Sequence, residues 1–175
     1  VALKVLLAVV TVIILVLVFA ALKPDTIRIS TSTVINAPPE RVYALLDDFH
    51  AWPQWAPQDR EDLSMKRTYS GAPAGVGAIS EWSGSGNTGN GRMEITGAEP
   101  ARKVVVAVDF AKPFVAHNVN TFTLSPEAGG TRVTWAMEGT NTYMMKVMSL
   151  AVNMNKMMAQ HFESGLANMK AAAEK

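Results

Sequence analysis

Three histidines, a handful of strand-borne carboxylates, one glycine-rich run and a concentration of methionine and tryptophan are what this 175-residue chain offers for chemistry. His50, His117 and His161 have no spacing that would set two imidazoles on one helical face, so a metal site would need distant carboxylates to converge, and no metal is expected. Cysteine is absent, which removes disulfides, thiolate nucleophiles and Cys-ligated zinc or iron–sulfur centres together. No Gly-x-Ser-x-Gly elbow supports a serine nucleophile. Gly84-Ser85-Gly86-Asn87-Thr88-Gly89 has the spacing of a dinucleotide fingerprint, but that motif needs a helix next, whose N-terminus holds the pyrophosphate. Here Gly91-Arg92-Met93-Glu94-Ile95 comes next, a strand pattern, so the run reads as a hairpin turn and no cofactor is expected. Glu81, Glu94, Asp109 and Glu138 would serve as acid or base only if buried together, and most fall on the outward parity of their strands.

The apolar residues carry more information. Seven of the ten methionines lie between Met144 and Met169. Methionine is flexible and polarizable, which suits a helix lying over a space that fills and empties, although ordinary core packing would use the same stripe. Trp55, Trp82 and Trp135 supply flat apolar walls with N–H groups that need partners.

The elements that position these residues follow from periodicity. Val5 to Leu22 is a run of 18 uncharged residues bracketed by Lys4 and Lys23. As a helix it reaches about 27 Å, close to the hydrocarbon thickness of a bilayer. Residues 1–23 are therefore expected to form a single-pass membrane anchor, with a cleavable signal peptide as the competing reading. Sidedness is weakly marked by charge, with a slight lean to an extracytoplasmic domain. Without Lys4 and Lys23 the remainder carries 14 basic and 15 acidic residues, no basic block for a nucleic acid, and residues 24–175 form one expected domain.

Within it, Thr26–Ile35 reads as a strand, and a short helix opens at Pro39-Glu40 and ends near Asp47-Asp48. An aromatic turn, Phe49 to Pro57, contains a further helical piece. Strand runs at Leu63–Tyr69, Val76–Ser83, Arg92–Thr96, Arg102–Phe110, Val115–Leu124 and Thr131–Glu138 are separated by Gly/Pro turns, the signature of an antiparallel meander. From Thr142 to about Ala172 the period becomes 3.6, with Met144, Met148, Ala151, Met154, Met158, Phe162 and Met169 on one stripe, which predicts a single long helix covering the sheet. Alternation puts Met93, Val106, Phe110, Phe122, Trp135 and Met137 on the covered face. It also puts Asn118 and Asn120 there, either facing a cavity or pairing across the sheet.

Val34-Ile35-Asn36-Ala37-Pro38-Pro39-Glu40 running on to Phe49, the Trp52-Pro53-Gln54-Trp55-Ala56-Pro57 turn, Gly75-Val76-Gly77 and Gly129-Gly130-Thr131-Arg132-Val133-Thr134-Trp135 together resemble the START-like, or SRPBCC, superfamily. The likeness is to its polyketide cyclase/dehydrase and lipid-transport-like branch and covers residues 30–172. It implies an α+β helix-grip fold, about seven antiparallel strands wrapped on a long C-terminal helix, with a hydrophobic cavity between. It supplies no universal catalytic residues. The expected lining is Trp55, Tyr69, Trp82, Met93, Val106, Phe110, Asn118, Phe122, Trp135, Met137, Met148, Met154, Met158 and Phe162, and the expected ligand a lipid-like or other hydrophobic small molecule. A cyclase-like enzyme using Asn118, Tyr69 or Glu81 for proton transfer is the alternative, and an accessory protein docking on an unspecified membrane partner is the third.

Overall fold

Alternating β-branched and polar residues build the sheet of this molecule, a computed structural model of which describes residues 2–85, 88–112 and 115–175. The strands are β1 (Thr26–Ile35), β2 (Lys66–Gly71), β3 (Ala78–Ser83), β4 (Asn90–Glu99), β5 (Lys103–Lys112), β6 (Ala116–Glu127) and β7 (Gly130–Thr140). They form one antiparallel sheet in the order β1-β7-β6-β5-β4-β3-β2. The last six are a meander, and β1 closes the far edge against β7, with Thr26 opposite Thr140 and Ile35 opposite Thr131. Gly86 and Asn87 of the glycine-rich run, and Pro113 of the Lys112-Pro113 separator, lie outside the described residues. The glycine-rich run leads into β4, a strand and not a helix.

Because β1 and β2 occupy opposite edges, the chain between them must cross the sheet. It does so as α2 (Pro39–Asp47), a 3₁₀ helix (Phe49–Gln54) and α3 (Pro57–Glu61). Pro39 opens α2 where a missing N–H costs nothing, and Val42 and Leu46, one turn apart, are its buried pair. Its C-terminal carbonyls find unusual donors: the indole N–H of Trp52 reaches Leu46 O at 3.1 Å and that of Trp55 reaches Leu45 O at 2.8 Å. Asp48, at the end of α2, accepts from His50 N and starts the 3₁₀ helix.

The long C-terminal helix expected from Thr142 to Ala172 is two helices, α4 (Tyr143–Ala151) and α5 (Met154–Ala173). Val152 is extended between them, and the Asn153 side chain accepts from Lys156 N as an N-cap, a local bond that competes with helix continuation. The predicted stripe is therefore bent. Phe162, Leu166 and Met169 are buried against the sheet, whereas Met144 is 60% exposed.

Ahead of the sheet, α1 (Ala2–Ala21) is long and apolar enough to cross a membrane. Of its described side chains only Ala20 is buried. Tyr143 O–H donates to Leu17 O, and the Lys23 ammonium to Ser149, so the end of α1 is tied to α4.

Candidate functional site

The inner face of the sheet is filled unevenly. At one end Ile35, Ile95, Val104, Val106, Phe122, Leu124 and Val133 pack solidly with Val42, Leu46 and the tryptophans of the 3₁₀ turn. At the other end a cavity of about 260 Å³ remains. Its floor comes from Ile27 on β1, Met93 on β4, Val108 and Phe110 on β5, Ala116, Asn118 and Asn120 on β6, and Trp135 and Met137 on β7. Its roof comes from Met145 and Met148 on α4 and from Met154, Met158, His161 and Phe162 on α5, with Trp52 and Gln58 closing the side. A wider groove of about 720 Å³ lies between Lys23–Arg28 and the α4–α5 joint, and the Lys23 ammonium there is already engaged by Ser149.

The expected lining divides between these regions. Met93, Phe110, Asn118, Trp135, Met137, Met148, Met154, Met158 and Phe162 border the cavity. Trp55, Val106 and Phe122 lie in the packed end instead, fully buried, where Phe122 meets Trp52 and Trp55 edge-on at ring separations of 6.0 and 5.9 Å. Inward parity puts these side chains on the covered face but does not say at which end of the strand the covering stops. Trp82 and Tyr69 are displaced for a different reason: β2 and β3 contribute nothing to the cavity wall. Trp82 packs edge-on to Phe110 at 5.3 Å and donates to Thr88 O, while Tyr69 is 37% exposed at the sheet edge, its ring against that of His50 at 4.0 Å. Glu81 points outward, as do Glu138 and the Asp109–His117 pair, whose ring nitrogen and carboxylate are 2.7 Å apart.

The expected lining leaves out Ile27, Trp52, Gln58, Val108, Ala116, Asn120, Met145 and His161. Gln58 sits in a five-residue helix whose single turn gives no periodicity to read. Met145 is off the single-helix stripe, and on α4 it borders the cavity.

The polar groups of the wall differ in their satisfaction. Asn120 Oδ1 accepts from the indole N–H of Trp135 at 2.9 Å, a cross-strand pair that also fixes the ring, which stacks on Phe162 at 4.2 Å and 10°. Gln58 Oε1 is buried without a hydrogen-bond partner among the described residues. Burial holds the His161 imidazolium form down, so its pKa lies below the ordinary value, with the Glu61 charge a smaller opposing influence. Among the described residues no Lys, Arg, Asp or Glu borders the cavity, and no three His, Asp or Glu side chains gather to hold a metal ion.

A concave space of this kind, between a curved sheet and C-terminal helices, is what comparison with known proteins bears on. The family described as polyketide cyclase / dehydrase and lipid transport matches residues 26–174. The chain belongs to that family. Its relatives of known structure share the fold at low identity. A protein from Chromobacterium violaceum is 21% identical with a TM-score of 0.62 over 87% of this chain and 99% of its own. The Aha1 dimer from Colwellia psychrerythraea is 17% identical, TM-score 0.59, over 85% and 96%. The di-domain ARO/CYC StfQ from the steffimycin biosynthetic pathway is 12% identical, TM-score 0.64, with 85% of this chain matching 51% of that one. No curated protein matches the chain. At these identities the neighbours of this polyketide cyclase/dehydrase family member establish the helix-grip fold and leave ligand and chemistry to its own residues.

Proposed function

We propose that the protein is a membrane-anchored binding module for a compact hydrophobic or amphipathic small molecule held between the sheet and helices α4 and α5. The observation that carries this is the 260 Å³ cavity itself, walled by aromatic rings and methionines in a sheet whose other end is packed solid. Apolar cavities of about 150 Å³ hold one benzene ring, so this volume suits a molecule of about two rings. A diacyl lipid would require α4 and α5 to lift.

The anchor reading is supported by how the end of α1 is used. Ala20 is buried, Leu17 O accepts from Tyr143, and the buried Lys146 ammonium bonds the Asp25 carboxylate just beyond Lys23. Excision after Ala20 would forfeit the first two contacts. The cavity also lies at the α1 end of the sheet, since Ile27 borders it. Met144, Leu150, Val152 and Met157, exposed on or beside the roof, give that end an apolar exterior suited to a bilayer surface.

A cyclase-like enzyme is the second reading, favoured by one observation, a neutral imidazole on the cavity wall able to accept or donate a proton. Of the three groups that the sequence offers for proton transfer, Asn118 alone faces the space; Tyr69 and Glu81 do not. Mass spectrometry of full-length protein extracted from its own membranes tests the binding reading. A stoichiometric small apolar molecule is the expected result, and a protein that is empty and takes up none when membranes are added back would contradict it.

A further inference from the structure

We infer that the ligand carries one neutral hydroxyl, of phenol or alcohol type, seated between Gln58 and His161, an inference that rests on the cavity being a binding site. Both side chains border the cavity, and neither forms a hydrogen bond among the described residues. Their two elements, α3 and α5, are packed together. Helix α3 rides along α5: Arg60 donates to Asn168 Oδ1 at 3.2 Å, Asn168 donates to Trp55 O, and Gly165 leaves room for Pro57, the residue before Gln58. A Cβ at Gly165 would stand 3.2 Å from the Pro57 ring and 2.7 Å from that of Trp135. The charge of Glu61, one turn after Gln58, is felt at His161.

The groups present specify the chemistry. The Gln58 amide carries one accepting oxygen and one donating NH2, and the group turned into the buried position lacks a partner. A neutral imidazole offers one N–H and one lone pair. A hydroxyl answers both at once, donating to Gln58 and accepting from His161. Carboxylate and phosphate ligands would bury a negative charge with no Lys or Arg among the described residues of the wall, and an ammonium would meet no Asp or Glu there. Trp52, Trp135 and Phe162 then face the ring body of the ligand.

The test is calorimetric titration of the full chain in lipid nanodiscs with 2-naphthol and with naphthalene, empty nanodiscs subtracted. Two hydrogen bonds predict that 2-naphthol binds about 10- to 100-fold tighter than naphthalene. Gln58→Leu and His161→Phe should each remove about tenfold of the preference for 2-naphthol over naphthalene, whatever they do to the binding of both probes in common. Both variants should fold, since neither side chain holds another described part of the protein by a hydrogen bond. Equal binding of the two probes, or a preference unchanged in both variants, overturns the hydroxyl inference while leaving the cavity reading in place. Failure of both probes to bind overturns the cavity reading and this inference with it.

Discussion

His161 illustrates how a single environment sets two properties. Burial disfavours its charged form, so its pKa in the folded protein falls below the value of 6.5 that it has when exposed. Between those two values the unfolded chain binds a proton that the native state refuses. By linkage, stability rises with pH through that window and is lost as the pH drops below about 6.5. Urea unfolding at pH 7 and pH 5 should therefore show a loss in the wild type that is smaller in His161→Leu, and an equal loss in both proteins would refute the assignment. The nearby Asn120 behaves differently because the indole of Trp135 satisfies it. Two polar residues bordering one cavity, Asn120 on its floor and His161 on its roof, thus have opposite status, one spent on structure and one left available.

At the scale of elements, α3 is too short to hold itself in place and depends on an ion pair. Asp59 accepts two hydrogen bonds from the Arg67 guanidinium, at 2.7 and 2.6 Å, with both side chains under 10% exposed, and Arg67 also donates to the buried Ser80. This pair joins α3 to strands β2 and β3 and so fixes Gln58, the residue beside Asp59. Arg67→Ala should cost about 3–5 kcal/mol, because it strands a buried carboxylate, measured by urea denaturation; a loss below about 1 kcal/mol would show the pair to be dispensable. Nothing in the sequence marks Asp59 and Arg67 as partners, since their meeting depends on β2 lying at the sheet edge over α3. By contrast β1 is legible to the residue, because its exposed and covered positions alternate from Thr26 to Thr33. Pattern also identifies the covered face of β4 to β7. Along those strands, however, Val106 and Phe122 look the same as Val108 and Met137, and only the length and placement of α2 decide which are packed against and which face a void. The break at Val152-Asn153 is hidden for a related reason: a methionine stripe continues through it, while the first helix ends at an extended Val152 and the Asn153 amide begins the next.

For the molecule as a whole, the division of the sheet into a packed end and a hollow end separates stability from binding. The packed end supplies stability through α2 and the tryptophan turn, and the hollow end adjoins α1; if α1 anchors the domain as proposed, an apolar solute leaving a bilayer would meet the roof of α4 and α5 first. On the proposed reading the domain and its apolar helix act as one device, with the cavity held near the phase in which its ligand concentrates. The claim that the hollow end is a binding site is tested most directly by titrating the full chain in nanodiscs with an environment-sensitive apolar fluorophore, alongside Ala116→Trp, which places a large ring on the cavity floor. Saturable one-to-one binding in the wild type, lost in a variant that retains its circular dichroism, is the predicted result. Binding of equal affinity in both proteins would contradict it.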